Sequence, residues 1–188
     1  MFLFLLACSS SEPSLSSSVS QPKKTEDIPL RSEAELREEA SQMIAEFAGI
    51  LKPKLKAALT EKGPIHAVEI CAEEAPKIAA ELSSKGDWSI KRVSLKNRNT
   101  AAAPDAWEKE VLQRWEQEQA SKAAVYSETV DGRFRMMKIQ TIEPVCLSCH
   151  GEQLAEPLKR KLTELYPLDK ATGYKLGDVR GAFSVQQK

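Results

Sequence analysis

The stretch Val125-Tyr126-Ser127-Glu128-Thr129-Val130-Asp131-Gly132-Arg133-Phe134-Arg135-Met136-Met137-Lys138-Ile139-Gln140-Thr141 reads as two strands around a two-residue turn. Asp131-Gly132 suits a type I′ turn, whose twist matches that of paired antiparallel strands, so Val125 to Val130 and Arg133 to Thr141 form a β-hairpin. That hairpin commits the chain to an antiparallel sheet. It also delivers the chain directly to Cys146-Leu147-Ser148-Cys149-His150, followed by Gly151.

Working outward, Val179 to Val185 alternates as a last strand, and Trp88 to Leu95 reads as another. Lys96 to Ala103 is a polar loop containing Arg98 and Asn99. Pro104-Asp105 opens a helix whose Trp107, Val111 and Trp115 lie along one side, with the tryptophans expected to be buried. Further upstream, Ser32-Glu33-Ala34-Glu35 has the form of a capping box. Leu36, Ala40, Met43, Phe47, Ile50 and Leu51 then recur at helical spacing, so an amphipathic helix is expected to about Thr60, with Gly63 as its stop. Its stripe reads as core, and Pro53 is expected to kink or interrupt it. After Pro64 a second helical stretch puts Val68, Cys71, Ala75, Ile78 and Leu82 on one face. Pro76 is expected to bend or restart it one turn beyond Cys71, whose side chain points inward. Short helices around antiparallel strands make an α+β domain with a long N-terminal helix, and no internal repeat is visible.

At 188 residues, 41% of them hydrophobic, the chain is about one domain with an extension. Lys+Arg and Asp+Glu both number 27, and no basic run stands out, so nucleic acid is not an expected partner. No apolar run reaches the length that spans a bilayer. Met1 to Ala7 is nonetheless apolar, and Leu5-Leu6-Ala7-Cys8 before a serine run resembles the lipobox of bacterial lipoproteins. The apolar part is short and lacks a basic leader. On this reading residues 1–8 are a signal ending at Cys8, which carries lipid, and the Ser/Pro-rich residues 9–31 are a disordered tether. Residues 32–188 then form a domain exported to the periplasm and held to the membrane by its lipid.

The motif at 146–150 carries the chemistry. A C-x-x-C-H run attaches a c-type haem: both thiols add across the porphyrin vinyl groups as thioethers, and the histidine sits under the iron as proximal ligand. Two other readings compete. A thioredoxin-type dithiol belongs to a strand-to-helix turn in a βαβ pattern, which is absent around Pro144. A structural zinc site needs four ligands, which Cys146, Cys149, Cys71 and one histidine can supply. Haem attachment on the outer side of a membrane agrees with export, so haem is preferred.

A second axial ligand is sought among His66, Cys71, Met43, Met136 and Met137. Methionine raises the potential; a thiolate, an anionic donor, lowers it. Cys71 on an apolar face reads first as an inert buried thiol. A reduced cysteine in an oxidising compartment, however, is better protected when bound to iron.

The chain further contains Glu69-Ile70-Cys71 with Ala75-Pro76, Arg92-x-Ser94 with Arg98-Asn99, and Pro104-x-x-Trp107-Glu108. It continues with Cys146-Leu147-x-Cys149-His150-Gly151, Tyr166-Pro167-x-Asp169-x-Ala171-x-Gly173-Tyr174 and Gly177-Asp178-x-Arg180-Gly181-Ala182. Over about residues 35 to 186 this resembles the family of c-type haem proteins with a PAS-like fold. The resemblance implies a PAS-like antiparallel sheet flanked by helices, one covalent haem, His150 as proximal ligand and Cys71 as distal ligand. The chain departs from the family pattern at Thr100, where proline often follows the Arg-Asn pair. Arg92, Arg98 and Arg180 are candidates to neutralise haem propionates, because guanidinium binds carboxylates bidentately.

The expected function is a low-potential c-type monohaem protein acting as a redox or gas sensor module, in which Cys71 is displaced and its helix passes the change to a partner. The sequence reaches Lys188 just after the last strand, so on this reading any kinase or other output is a separate partner protein. The alternative is a periplasmic electron-transfer protein in which nothing moves. A peroxidase-like enzyme requires an open iron position and a nearby acid-base group, and is expected less. The long N-terminal helix is a candidate surface for a homodimer.

Overall fold

The structure, a computed structural model, describes residues 31–188. The candidate signal with Cys8, and the tether as far as residue 30, lie outside the described residues.

The capping box forms as its residues dictate. Ser32 Oγ accepts from the Glu35 N–H at 3.3 Å, and the Glu35 carboxylate accepts from the Ser32 N–H at 2.7 Å. From this cap α1 (Glu33–Ser84) departs from helical backbone only at Gly63, with φ 78° and ψ −173°, a conformation that glycine enters without a Cβ penalty. The break folds residues 64–84 back along residues 33–62. Lys54 pairs with Glu74, and Lys85 with Glu46 at 3.4 Å, across the two limbs. Pro53 and Pro76 do not interrupt the helix as expected. Both rings are solvent-exposed, and backbone dihedrals stay helical through them, so water can take the carbonyls that proline leaves without a donor.

Four strands follow: β1 (Trp88–Val93), β2 (Val125–Val130), β3 (Arg133–Thr141) and β4 (Val179–Gln187). They pair antiparallel in the order β1-β4-β3-β2. The β2–β3 turn has φ 50° at Asp131 and 75° at Gly132, the two positive values of the expected type I′ turn. Between β1 and β2 lies α2 (Ala106–Gln117), with Asp105 as its N-cap. Between β3 and β4 lie a single turn, α3 (Leu147–His150), and α4 (Glu156–Leu165).

Side-chain alternation splits the core over the two faces of the sheet. On one face Ile90, Phe134, Met136, Phe183 and Val185 pack against Ala40, Ile44, Phe47, Leu51, Ala75, Ile78 and Leu82 of α1. Phe47 meets Phe183 edge-on at 5.3 Å, an arrangement that adds about 0.5–1.5 kcal/mol to area burial. The apolar stripe of the long helix is thus buried in its own chain. On the other face Val93, Met137, Ile139 and Ala182 pack against Val111, Leu112 and Trp115 of α2. Trp107 is only half-buried, contrary to expectation. Its Nε1 donates to Glu128 at 2.9 Å, and the Arg135 guanidinium lies over its ring at 4.3 Å. No described helix is long and apolar enough to cross a membrane. The α+β class, the antiparallel sheet and the long N-terminal helix are those read from the sequence.

Candidate functional site

A 3₁₀ turn, Pro144–Cys146, runs straight into α3, so Cys146 and Cys149 stand three apart on helical backbone and share one face. Both thiols are free and half-buried, as is that of Cys71. His150 Nδ1 lies 2.7 Å from the Ala171 carbonyl. A carbonyl only accepts, so Nδ1 carries the proton and donates, and Nε2 keeps its lone pair. Burial, with Arg180 and Arg98 nearby, pushes the imidazole down to about 3 against the pull of the Ala171 hydrogen bond. The ring is therefore neutral at ordinary pH, the state a metal ligand needs.

The loop that orients His150 is itself held. Arg98 Nε donates to Asp169 at 2.9 Å, and its Nη2 donates to the carbonyls of Cys149 at 2.6 Å and Ala171 at 3.2 Å. The other Asp169 oxygen accepts from the Ala171 N–H at 2.7 Å. Both side chains of this ion pair are 10% exposed, so it is well shielded from water. The N–H of Tyr174 donates to the His150 carbonyl at 3.0 Å, and the ring of Tyr174 meets the imidazole edge-on at 6.2 Å. Arg98 was a propionate candidate by sequence; the structure gives it Asp169 as its anion. Asp169 and Ala171 stand in the motif quoted from the sequence, but their roles in orienting His150 were not read there.

Cys71 arrives from the second limb of α1. Cys149, like Ile65, Leu154 and Tyr166, packs against a buried cluster of Val68 from that limb with Leu158 and Leu162 of α4, and Val68 lies one turn before Cys71 on the same face. Burial raises the Cys149 thiol, opposed by the Ser148 hydroxyl and Arg98, and the neighbouring Cys71 and Cys146 raise it further. Tyr166 is raised by burial and then by Cys71. The fold thus brings the limb bearing Cys71 to the turn bearing Cys149. The other axial candidates are occupied elsewhere: His66 Nδ1 faces Glu69 at 3.3 Å, and Met43 packs on the α1 face. Met136 and Met137 lie in the two hydrophobic cores, 1% and 0% exposed.

Two further guanidinium groups flank this assembly. Arg92, on β1, places Nη2 3.5 Å from Cys71 Sγ and lies over the Phe47 ring at 5.9 Å. Arg180 Nη1 donates to Ser94 Oγ at 3.0 Å and to the Lys96 carbonyl at 3.3 Å, and its guanidinium lies over Tyr174 at 5.6 Å. Burial lowers the Arg180 pKa, and Arg98 and Arg92 lower it further against the favourable pull of Tyr174 and Asp169. Among the described residues neither Arg92 nor Arg180 makes an ion pair with a carboxylate. Two surface cavities adjoin the region. One of about 390 Å³ is lined by Leu147, Gly151, Tyr174 and Leu176, and one of about 240 Å³ by Leu154, Tyr166 and Asp169. Among the described residues no three His, Cys, Asp or Glu side chains gather in a metal-ion cluster, so a four-ligand zinc site has no donor set in place.

No curated protein matches the chain. The fold is similar to the crystal structure of the cyanobacterial heme-protein Tll0287, with a TM-score of 0.66 at 23% sequence identity over 84% of this chain and 99% of that one. The model of the Tll0287-like family matches residues 22–187, almost the whole described domain and the end of the segment before it. The chain belongs to the Tll0287-like family.

Proposed function

We propose that this chain holds one covalent c-type haem and works as a low-potential redox or gas sensor module. In this reading Cys146 and Cys149 form the thioethers, His150 is the proximal ligand and Cys71 the distal one, in a PAS-like domain. Lipid on Cys8 anchors the domain at the periplasmic face of a bacterial membrane. When bound, the haem supplies a one-electron couple and a site for small gases.

The residues present fit such a group. The observation that carries the reading is the His150 ring: its Nδ1–H is fixed on the Ala171 carbonyl, so Nε2 is left as the donor, with two free thiols on one helical face immediately before it. Arg180, half-buried and without a carboxylate of its own, suits an anionic propionate. Membership of a family beside a cyanobacterial heme-protein of the same fold lends further support.

The sensing role rests on where Cys71 sits. Val68, one turn from Cys71, packs on Leu158 and Leu162 of α4, and Glu69 pairs with Lys161 of α4 at 3.0 Å. Movement of Cys71 is therefore felt by a second helix at the surface, where a separate partner, such as a kinase, could respond. A protein that only transfers electrons needs Cys71 to stay in place.

Chain made with a working haem-ligation system should gain the mass of one haem and keep its colour through acid-acetone extraction. A bare polypeptide mass overturns the reading. Carbon monoxide or nitric oxide then separates the two roles: ready displacement of Cys71 in the reduced protein supports sensing, and refusal by both gases supports electron transfer.

A further inference from the structure

We propose that Arg92 is a positioning residue for Cys71: its guanidinium donates a hydrogen bond to the Cys71 sulfur and so sets how strongly that sulfur can bind a metal. The proposal rests on the haem reading above and assigns Arg92 a role other than propionate binding.

Three observations carry it. Arg92 Nη2 stands 3.5 Å from Cys71 Sγ, and among the described residues this sulfur is the hydrogen-bond acceptor its side chain meets. The guanidinium is always charged and presents only donors, so a half-buried arginine with no carboxylate needs an anionic or strongly accepting partner. The other two arginines of the region are engaged with oxygen: Arg98 with Asp169 and two carbonyls, Arg180 with a hydroxyl and a carbonyl.

The placement of the pair matters as much as its distance. Arg92 is fixed on the sheet, where β1 pairs with β4 and Arg92 stands opposite Phe183. Its guanidinium is further held over Phe47 of the first limb. Cys71 rides on the second limb, beyond the break at Gly63. A donor on the rigid sheet thus meets an acceptor on a separate helix and fixes the direction of its sulfur. A hydrogen bond to a ligating sulfur draws electron density from it, which weakens its donation and raises the reduction potential. The same donor gives Cys71 a resting partner when it is not bound.

The test uses the full chain with its covalent haem and compares Arg92→Met with Arg92→Lys. The readouts are the midpoint potential and the iron–sulfur stretching frequency in resonance Raman spectra. Arg92→Met should lower the midpoint and raise the stretching frequency, because the sulfur donates more strongly. Arg92→Lys, which keeps the charge and N–H donors but not the planar fork, should recover part of both shifts. A midpoint shift with the stretching frequency unmoved means that Arg92 serves a propionate, and overturns the proposal; so does the absence of both shifts. If Arg92→Met does not fold, unchanged values of both quantities in Arg92→Lys relative to the parent count against it, since an ammonium on a different stem, without the planar fork, cannot reproduce the guanidinium contact. Failure of the underlying reading looks different. It appears as a bare polypeptide mass in the parent, or as a thiolate signature in electron paramagnetic resonance that survives Cys71→Ser, and either result removes this proposal as well.

Discussion

Guanidinium groups on the α2 face of the sheet and at the motif end are satisfied in opposite ways. On the α2 face Arg135, 8% exposed, donates to Asp105 at 2.6 Å and lies 3.4 Å from Glu108. Glu108 is fully buried and also accepts from Lys91 at 2.9 Å, Ser184 at 2.7 Å and the Asp105 N–H at 2.8 Å. Cation and anion face each other, with only Arg135 Nε lacking a partner. At the motif end Arg98 has its carboxylate, but Arg92 and Arg180 rest on sulfur, a hydroxyl, carbonyls and rings. A charge network whose cations and carboxylates pair within the chain serves the fold. On the proposed haem reading Arg180 is left to receive an anion from outside the chain, while Arg92 is held on the Cys71 sulfur.

The comparison breaks most easily at Glu108. Glu108→Ala leaves Arg135 and Lys91 without their buried carboxylate and should cost about 3–5 kcal/mol in denaturant unfolding. The haem spectrum of the protein that remains folded should not change. A spectral change would mean that the two regions are not independent.

Arg98→Ala should cost less, about 1.5–3 kcal/mol, the range for charged hydrogen bonds. It should also lower the yield of bound haem, because the loop carrying the Ala171 carbonyl loses its clamp. Equal haem yield at equal protein level would show that the clamp does not act on His150.

Arg180→Gln sharpens the contrast. In haem-free protein the change should lie within about 1 kcal/mol of neutral, since no carboxylate is orphaned and repulsion from Arg98 and Arg92 is relieved. In haem-loaded protein the same substitution should lower the melting temperature. Equal effects in both forms would remove Arg180 from the haem contacts.

The smallest effect is one of pH. Burial pushes the Asp105 carboxyl up, but the Glu108 N–H and Arg135 outweigh it and hold it below the usual range. A depressed carboxylate contributes stability that is present above its unfolded pKa, about 3.9, and is lost as pH falls through the folded value. Melting temperature should therefore fall below about pH 4 more steeply in the parent than in Asp105→Asn. Since Asp105 is 44% exposed, solvent screening keeps the difference small.

What the sequence revealed tracks how local each signal is. The hairpin around Asp131-Gly132, the box at Ser32 and the helix after Asp105 are written within a few residues, and each formed as read. The spacing of Cys146, Cys149 and His150 is equally local. By contrast α4 was not anticipated: its N-cap is Ala155, which offers no side-chain bond, and its apolar stripe is three leucines, Leu158, Leu162 and Leu165. Pro157 near its first turn was the available sign. The prolines misled in the other direction, because a ring that faces water is tolerated inside a helix. Least legible were Arg98 with Asp169, 71 residues apart, and Arg135 with Glu108. Those pairings exist only after the sheet has set its register.

The position of β4 between β1 and β3 has a consequence for how the polypeptide is assembled. Until Val179–Gln187 emerges, β1 and the β2–β3 hairpin have no strand to join them. Cys146 and Cys149 lie before that strand in the chain, so they leave the ribosome or the translocation channel ahead of the segment that closes the sheet. On the proposed haem reading the thiols are thus reachable on a half-made domain before the last described strand closes the sheet.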